Sequence, residues 1–228
     1  MINKIIIAID GHSSTGKSTL AKMLSSYLQY KHINTGSMYR AVTLYALRNK
    51  WINDSSDQLS INREKIIKSI DNLILDFRFH NNNYSMYMNN ENIDYQIKTP
   101  HVSQYVSKIS SYPLVRKKIV KIQQEIGKKK GVVMEGRDIG SVVFPKAELK
   151  LFITASIEVR AERRYQELLT LGINSDFKDV LENLKMRDFA DSNRKNSPLI
   201  KVDDAILIDN TLLDLNEQFQ MVINLLNG

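Results

Sequence analysis

The chain has 228 residues, 43% of them hydrophobic and 25% charged, a formal charge of +7 and no cysteine. That length suits one substantial α/β domain with room for an inserted subdomain, not two enzymatic domains, and the composition is far from that of disordered chains. The lack of cysteine excludes disulfides, thiolate metal sites and cysteine nucleophiles.

The run Ile5-Ile6-Ile7-Ala8-Ile9 falls far below the roughly 18 apolar residues that span a bilayer. Met1-Ile2-Asn3-Lys4 enters it without a signal-peptide pattern. The expectation is a soluble cytoplasmic monomer with no membrane partner. The positive charge allows nucleic acid, a membrane surface or small phosphorylated substrates. Arg40, Arg137, Arg187 and Arg194 are scattered and form no basic stripe, while Lys128-Lys129-Lys130 reads as a solvated helix end. Nucleic acid is therefore not expected as a partner.

In chain order, Met1 to Ile9 reads as a buried strand, and Leu20, Leu24 and Leu28 give the following segment a helical apolar face. A second helix is predicted from Ser37 to Arg48, with Met38, Ala41, Val42 and Tyr45 inward. Between Leu73 and Ile97 the period falls to two: Leu75–Phe79, Tyr84–Met88, then Ile93, Tyr95 and Ile97, punctuated by Asn81-Asn82-Asn83 and Asn89-Asn90-Glu91-Asn92. This predicts an inserted three-stranded antiparallel meander. Thr99-Pro100 opens a helix as N-cap and first helical residue, and another helix runs from Pro113 to Gly127.

Val132-Val133-Met134 is a short strand leading to Glu135-Gly136-Arg137-Asp138, and Leu149 to Thr154 is another. Arginine-rich helices are predicted over Ile157–Leu171 and Asp176–Asp188, with Gly172 between. Ala205 to Ile208 is the last strand. Asp214 and Glu217 form a capping box for a final helix with Leu215, Phe219, Val222 and Leu226 inward. Strands alternating with helices give a three-layer α/β fold around a parallel sheet.

Gly11-His12-Ser13-Ser14-Thr15-Gly16-Lys17-Ser18 fits the pattern GxxxxGK[ST], with a strand before it and a helix after it. Its two glycines let successive N–H groups curl around a phosphate at a helix N-terminus. Lys17 can reach the terminal phosphates and the Ser18 hydroxyl can ligate magnesium. The donor-binding set is Gly11 to Ser18 with Thr19, and the expected ligands are ATP and Mg2+. A guanine-reading Asn-Lys-x-Asp is absent, since Asn49-Lys50 is followed by Trp51-Ile52, and the chain has no room for the partner domains of most ATPase motors. This leaves kinases of small acceptors.

Five further segments then occur in order: Asn34-Thr35-Gly36-Ser37-Met38-Tyr39-Arg40, Ile97-Lys98-Thr99-Pro100, Ser107 with Pro113-Leu114-Val115-Arg116, Glu135 to Pro145, and Arg187-Asp188-Phe189-Ala190-Asp191-Ser192-Asn193-Arg194. On these the chain resembles the bacterial cytidylate kinases along nearly its whole length. The resemblance implies a P-loop nucleoside monophosphate kinase domain over 1–228, with a monophosphate-binding insert at about 63–98 and an arginine-bearing lid at about 156–194. It implies transfer of the γ-phosphoryl group of ATP to CMP or dCMP. Ser107, Arg116 and Asp138 match base-reading positions, Arg40 and Arg137 phosphate-holding ones, Asp191 the sugar-binding one with Arg194 beside it, and Thr35 joins the substrate-binding set. These residues could supply what cytosine asks for, a carboxylate opposite the amino group and donors opposite the ring nitrogen and carbonyl.

Lys17, Arg137, Arg160 and Arg164 are the expected catalytic residues, although Arg160, Arg163 and Arg164 share one helix and the sequence does not choose among them. The chain departs from the family pattern at Asn34 and Glu135, where aspartates are expected, and at His12, where proline is usual. Other acceptors on the same fold, UMP, AMP or shikimate, remain open, as does an ATP-responsive nucleic-acid-binding module.

Overall fold

The computed structural model describes residues 4–55, 58–80 and 83–227. In chain order the elements are β1 (Ile6–Asp10), α1 (Lys17–Leu28), β2 (Lys31–Asn34), α2 (Thr35–Arg48), β3 (Ile52–Ser55), β4 (Gln58–Ile61), α3 (Arg63–Ser69), β5 (Leu75–His80), β6 (Asn83–Met88), β7 (Glu91–Asn92), α4 (Pro100–Ser110), α5 (Pro113–Gly127), β8 (Val132–Gly136), β9 (Leu149–Thr154), α6 (Ile157–Thr170), α7 (Phe177–Asn193), β10 (Ile206–Asp209) and α8 (Leu215–Asn227). Single 3-10 turns occupy Ile70–Asn72 and Gln96–Lys98, and one π turn spans Ile139–Val143. The chain divides into two compact units, Ile33–Lys128 and the segments on either side of it.

The outer segments build the five-stranded sheet, in the order β10-β9-β1-β8-β2, with β2 leading out into the other unit. β1 lies parallel between β8 and β9, pairing Ile7 with Val133 and with Leu149. Buried on both faces, β1 and β8 are nearly continuous apolar runs, as parallel strands covered by helices require. Ile7, Ile9, Leu20, Leu24, Val133, Ile153 and Val222 form the core of this unit.

The helical pair α6–α7 carries a separate small core of Ala161, Leu168, Val180 and Leu184. α6 ends with Gly172 in the left-handed region at φ 70°. The amide of Ile173 reaches the carbonyl of Leu168, and that of Gly172 reaches Leu169. This double closure satisfies the helix's last carbonyls and turns the chain back.

The middle unit packs α2, α4 and α5 around Met38, Ala41, Val102, Tyr105, Ile109, Val115 and Ile119. Its antiparallel sheet β5-β6-β7 reverses at Asn89 and Asn90, both at positive φ (49° and 68°), the conformation a two-residue hairpin turn needs. The third strand is shorter than predicted. Only Glu91–Asn92 pairs with β6 as a strand, the Ile93 amide makes a last bond to the Met86 carbonyl at 3.0 Å, and from Asp94 the chain leaves for a 3-10 turn, with Ile93 and Ile97 buried. Asp94 causes the departure, because its carboxylate accepts the Met86 amide at 2.8 Å in place of a strand partner. The predicted turn at Asn81-Asn82 lies outside the described residues, as do Met1 to Asn3 of the predicted first strand.

Further boundaries move for local reasons. α2 starts two residues early because the Asn34 side chain caps it, accepting from the Ser37 amide at 3.2 Å. The second arginine-rich helix, α7, continues five residues past Asp188, to Asn193. Leu215 is 45% exposed and not inward. The capping box at Asp214 and Glu217 forms in both directions, each amide bonded to the other side chain at 2.8 Å.

Candidate active site

The loop between β1 and α1 holds its shape by sterics. Gly11 sits at φ 148°, and a Cβ there would lie 2.1 Å from the Ile153 carbonyl oxygen on β9. Gly16 sits at φ 85° and Ser14 at 61°, so the backbone turns through the left-handed region twice in three residues. The Lys17 ammonium folds onto the loop's own acceptors, the His12 carbonyl and Thr15 Oγ1, the latter at 3.1 Å. Burial depresses its pKa well below the ordinary lysine value and the charge of Arg137 adds to this, against the pull of Glu135 and Asp10.

Beside the loop, Ser18 Oγ donates to Glu135 Oε2 at 2.8 Å, and His32 Nε2 lies 2.9 Å from Glu135 Oε1. Burial would raise the Glu135 pKa, but His32, Lys17 and Ser18 together outweigh it and hold the carboxylate ionised. A hydroxyl and an ionised carboxylate next to a phosphate loop make a donor set suited to Mg2+, which takes one or two carboxylates and leaves the rest of its shell to phosphate and water. Among the described residues no cluster of three or more His, Cys, Asp or Glu could hold a metal by itself. A substrate-shared ion is the kind this site fits.

The last residue of β1, Asp10, is buried and accepts the amides of Ile139 at 2.8 Å and Gly140 at 2.7 Å. This fixes the segment after β8 that carries Arg137 and Asp138. Burial raises the Asp10 pKa to about 6 despite those two amides.

Asp138 is buried, and its carbonyl starts the π turn by accepting the amides of Val142 and Val143. Arg137 Nε bonds Asp191 Oδ2 at 2.7 Å, and Arg194 Nη1 approaches Asp191 Oδ1 at 3.7 Å while its Nε donates to the Ser197 carbonyl at 2.6 Å. Burial would raise the Asp191 pKa, yet Arg137, Arg194 and Arg187 more than offset it.

The structure separates the three α6 arginines that the sequence could not rank. Arg160 is buried, with Nη1 on Asp188 Oδ2 at 2.6 Å and Nε on the Ala155 carbonyl at 3.0 Å. Arg163 grips Asn210 through Nη1 on Oδ1 at 3.0 Å and Nη2 on the main-chain oxygen at 3.1 Å. Arg164 pairs with Glu167 at 2.7 Å. His12, the unusual loop residue, places Nδ1 3.2 Å from Asp188 Oδ1 and so faces the carboxylate that holds Arg160.

One residue that sequence reasoning did not place in the site is Arg187. Its Nε is buried without a hydrogen-bond partner among the described residues. Burial, with the charges of Arg137 and Arg164, lowers its pKa to about 10 despite Asp191 and Asp188. A buried guanidinium with a depressed pKa beside charged partners marks Arg187 as a candidate site residue. The signal was available, since Arg187 opens the segment that also supplied Asp191 and Arg194.

In the middle unit, Arg40 Nη1 bonds the Ile97 carbonyl at 3.0 Å and Ser103 Oγ at 2.7 Å, tying the 3-10 turn to α4. Arg116 is buried, donates to the Ser110 carbonyl at 3.1 Å and lies 5.2 Å from the centre of the Tyr39 ring. The Ser107 carbonyl accepts from Ser110 Oγ at 3.0 Å. Thr35 is buried in the first turn of α2.

No helix among the described residues is long and apolar enough to cross a membrane. A shikimate kinase from Bacteroides thetaiotaomicron shares the fold at TM-score 0.51, with 10% identity and 98% and 99% of the two chains covered. A cytidylate kinase from Flavobacterium psychrophilum is 50% identical over 229 residues, covering all of both chains. Another from Parabacteroides distasonis is 47% identical over 219 residues, 95% of this chain and 94% of its own. The family described as cytidylate kinase matches residues 7–228, and the chain belongs to that family.

Proposed function

We propose that the protein transfers the γ-phosphoryl group of ATP to CMP, and to dCMP, giving ADP and the nucleoside diphosphate. The observation that carries this is the cation-crowded ground beside the loop, where Lys17 and Arg187 both have pKa values lowered by burial and by Arg137. A pair of phosphates supplies the negative charge that such a group lacks.

In the reaction an acceptor phosphate oxygen attacks the γ-phosphorus, the bond to the β–γ bridging oxygen breaks, and its electron pair leaves with ADP. The acceptor oxygen is already anionic, so no general base is needed and catalysis consists of positioning and charge stabilisation. The loop amides and Lys17 hold the donor. Arg137 and Arg187 neutralise charge on the transferring group, with Arg160 and Arg164 as the lid's contribution. Mg2+, held by Ser18 and backed by Glu135, would supply further neutralisation of the phosphates. Asp138, Arg116 and Ser107 read the cytosine edge, Arg40 and Arg194 serve the acceptor phosphate, Thr35 its surroundings and Asp191 the sugar hydroxyls.

We place the enzyme in the cytoplasm as a monomer without a nucleic-acid partner. The insert at about 63–98 is the monophosphate-binding subdomain and 156–194 the lid. ADP release measured with CMP, dCMP, UMP, AMP and shikimate in turn tests the reading. CMP turnover well above the others is expected, and a clear preference for another acceptor overturns the base-reading assignment.

A further inference from the structure

Asn210, which follows β10, is completely buried. Its Nδ2 donates to the Thr15 carbonyl at 2.6 Å and to Gln218 Oε1 at 2.8 Å, and its own amide bonds the Thr154 carbonyl at 2.9 Å. The carboxamide can stand only one way round. Arg163, which has donors and no acceptor, occupies Oδ1 at 3.0 Å. Gln218 Nε2 is engaged with the Asp214 carbonyl at 3.0 Å and directed to that of Leu213 at 3.4 Å, which turns its Oε1 towards Asn210. Two neighbours thus independently aim the NH2 group of Asn210 at the loop.

In a trans peptide the C=O and N–H lie in one plane and point in opposite directions within it. Pinning the Thr15 carbonyl outward, against Asn210, therefore directs the Gly16 N–H inward, into the concavity of the phosphate loop. Gly16 stands at the start of α1, where the helix dipole adds to an amide facing an anion. We infer that Asn210, locked by Arg163 and Gln218, is a positioning residue for the donor nucleotide: it sets the Thr15–Gly16 peptide so that its N–H faces the bound phosphates. This rests on the loop's reading as the ATP site. It also gives Arg163 a role different from that of Arg160 and Arg164, on the framework of the donor loop.

The test is Asn210→Asp, which keeps the size and the acceptor for Arg163 but sets an oxygen against the Thr15 carbonyl. KM for ATP should rise about tenfold to a hundredfold, the scale of one hydrogen bond to a charged group, with KM for CMP within about twofold. In 15N-labelled protein the shift of the Gly16 amide on adding ADP should be large in the wild type and largely lost in the variant. Arg163→Gln should raise KM for ATP in the same sense, and Arg163→Lys, which retains a donor for Oδ1, should recover part of the loss. If Asn210→Asp fails to fold, the Arg163 pair carries the test alone. A lowered melting temperature with KM for ATP and the Gly16 shift unchanged overturns the inference. Wild-type protein that does not bind ATP overturns the donor reading instead, and this inference with it.

Discussion

The phosphate loop and the arginine cluster beside it are held by opposite means. The loop is fixed by backbone: two glycines at positive φ, one of them against the Ile153 carbonyl, and a carbonyl bonded to Asn210. The cluster is fixed by charge: Arg137 on Asp191, Arg160 on Asp188, and Arg187 among them with its Nε unpaired among the described residues. A backbone cradle costs no reorganisation when the donor arrives. Ion pairs, by contrast, can exchange partners when a phosphate enters. On the proposed function, the donor is gripped by a preset shape and the transfer by movable charges.

The sharpest way to break this contrast is Gly11→Ala. Its Cβ would meet a backbone oxygen at 2.1 Å, so the sheet or the loop must shift, and we expect a loss above about 3 kcal/mol or failure to fold, measured by denaturant titration. Next, Lys17→Met should lower kcat on the order of 10^3-fold while the fold persists, because it removes the charge, with its bonds to the His12 carbonyl and Thr15 Oγ1, and leaves the glycine-set backbone in place.

Arg187→Met should cost on the order of 10^2-fold in kcat. It should leave the melting temperature unchanged or higher, since it removes a buried cation whose desolvation and whose neighbours Arg137 and Arg164 outweigh Asp191 and Asp188. A large destabilisation would show that Arg187 is a framework residue. Charge belongs to the site only if activity and stability separate here.

Asp10 tests the junction between the two regions. Its pKa rises from 3.8 to about 6 on folding, so the folded state binds the proton more tightly than the unfolded chain. Its contribution to stability is greatest below about pH 4 and falls by about 3 kcal/mol in all as pH rises through 6 to about 7. Unfolding free energies at pH 4.5 and 7 should show about 2 kcal/mol of this fall in the wild type relative to Asp10→Asn, and parallel profiles would refute it. The smallest effect expected is for Asn34→Asp. Both residues cap helices well, so stability should stay within about 0.5 kcal/mol, and a larger change would mean that Asn34 does more than cap α2.

What the sequence made legible follows the same division. The loop was readable because its chemistry is local, eight consecutive residues flanked by a strand and a helix. The capping residues Thr99, Asp214 and Glu217 were readable for the same reason. The third meander strand was misjudged because Asp94 captures the Met86 amide across eight residues of chain, which period-2 patterning does not encode. The order among Arg160, Arg163 and Arg164 was hidden because their partners Asp188 and Asn210 lie 28 and 47 residues away. β2 and the β3–β4 hairpin also escaped, being four-residue strands too short to show a period.

The separate core of α6 and α7 bears on motion. Four small or branched side chains, Ala161, Leu168, Val180 and Leu184, hold the pair to itself, apart from the core beneath the sheet. Cooperative opening follows units with their own buried contacts. The amides of this hairpin should therefore exchange with deuterium as one group, ahead of β1 and β8, and slow together when nucleotide re-pairs the arginines that the hairpin carries.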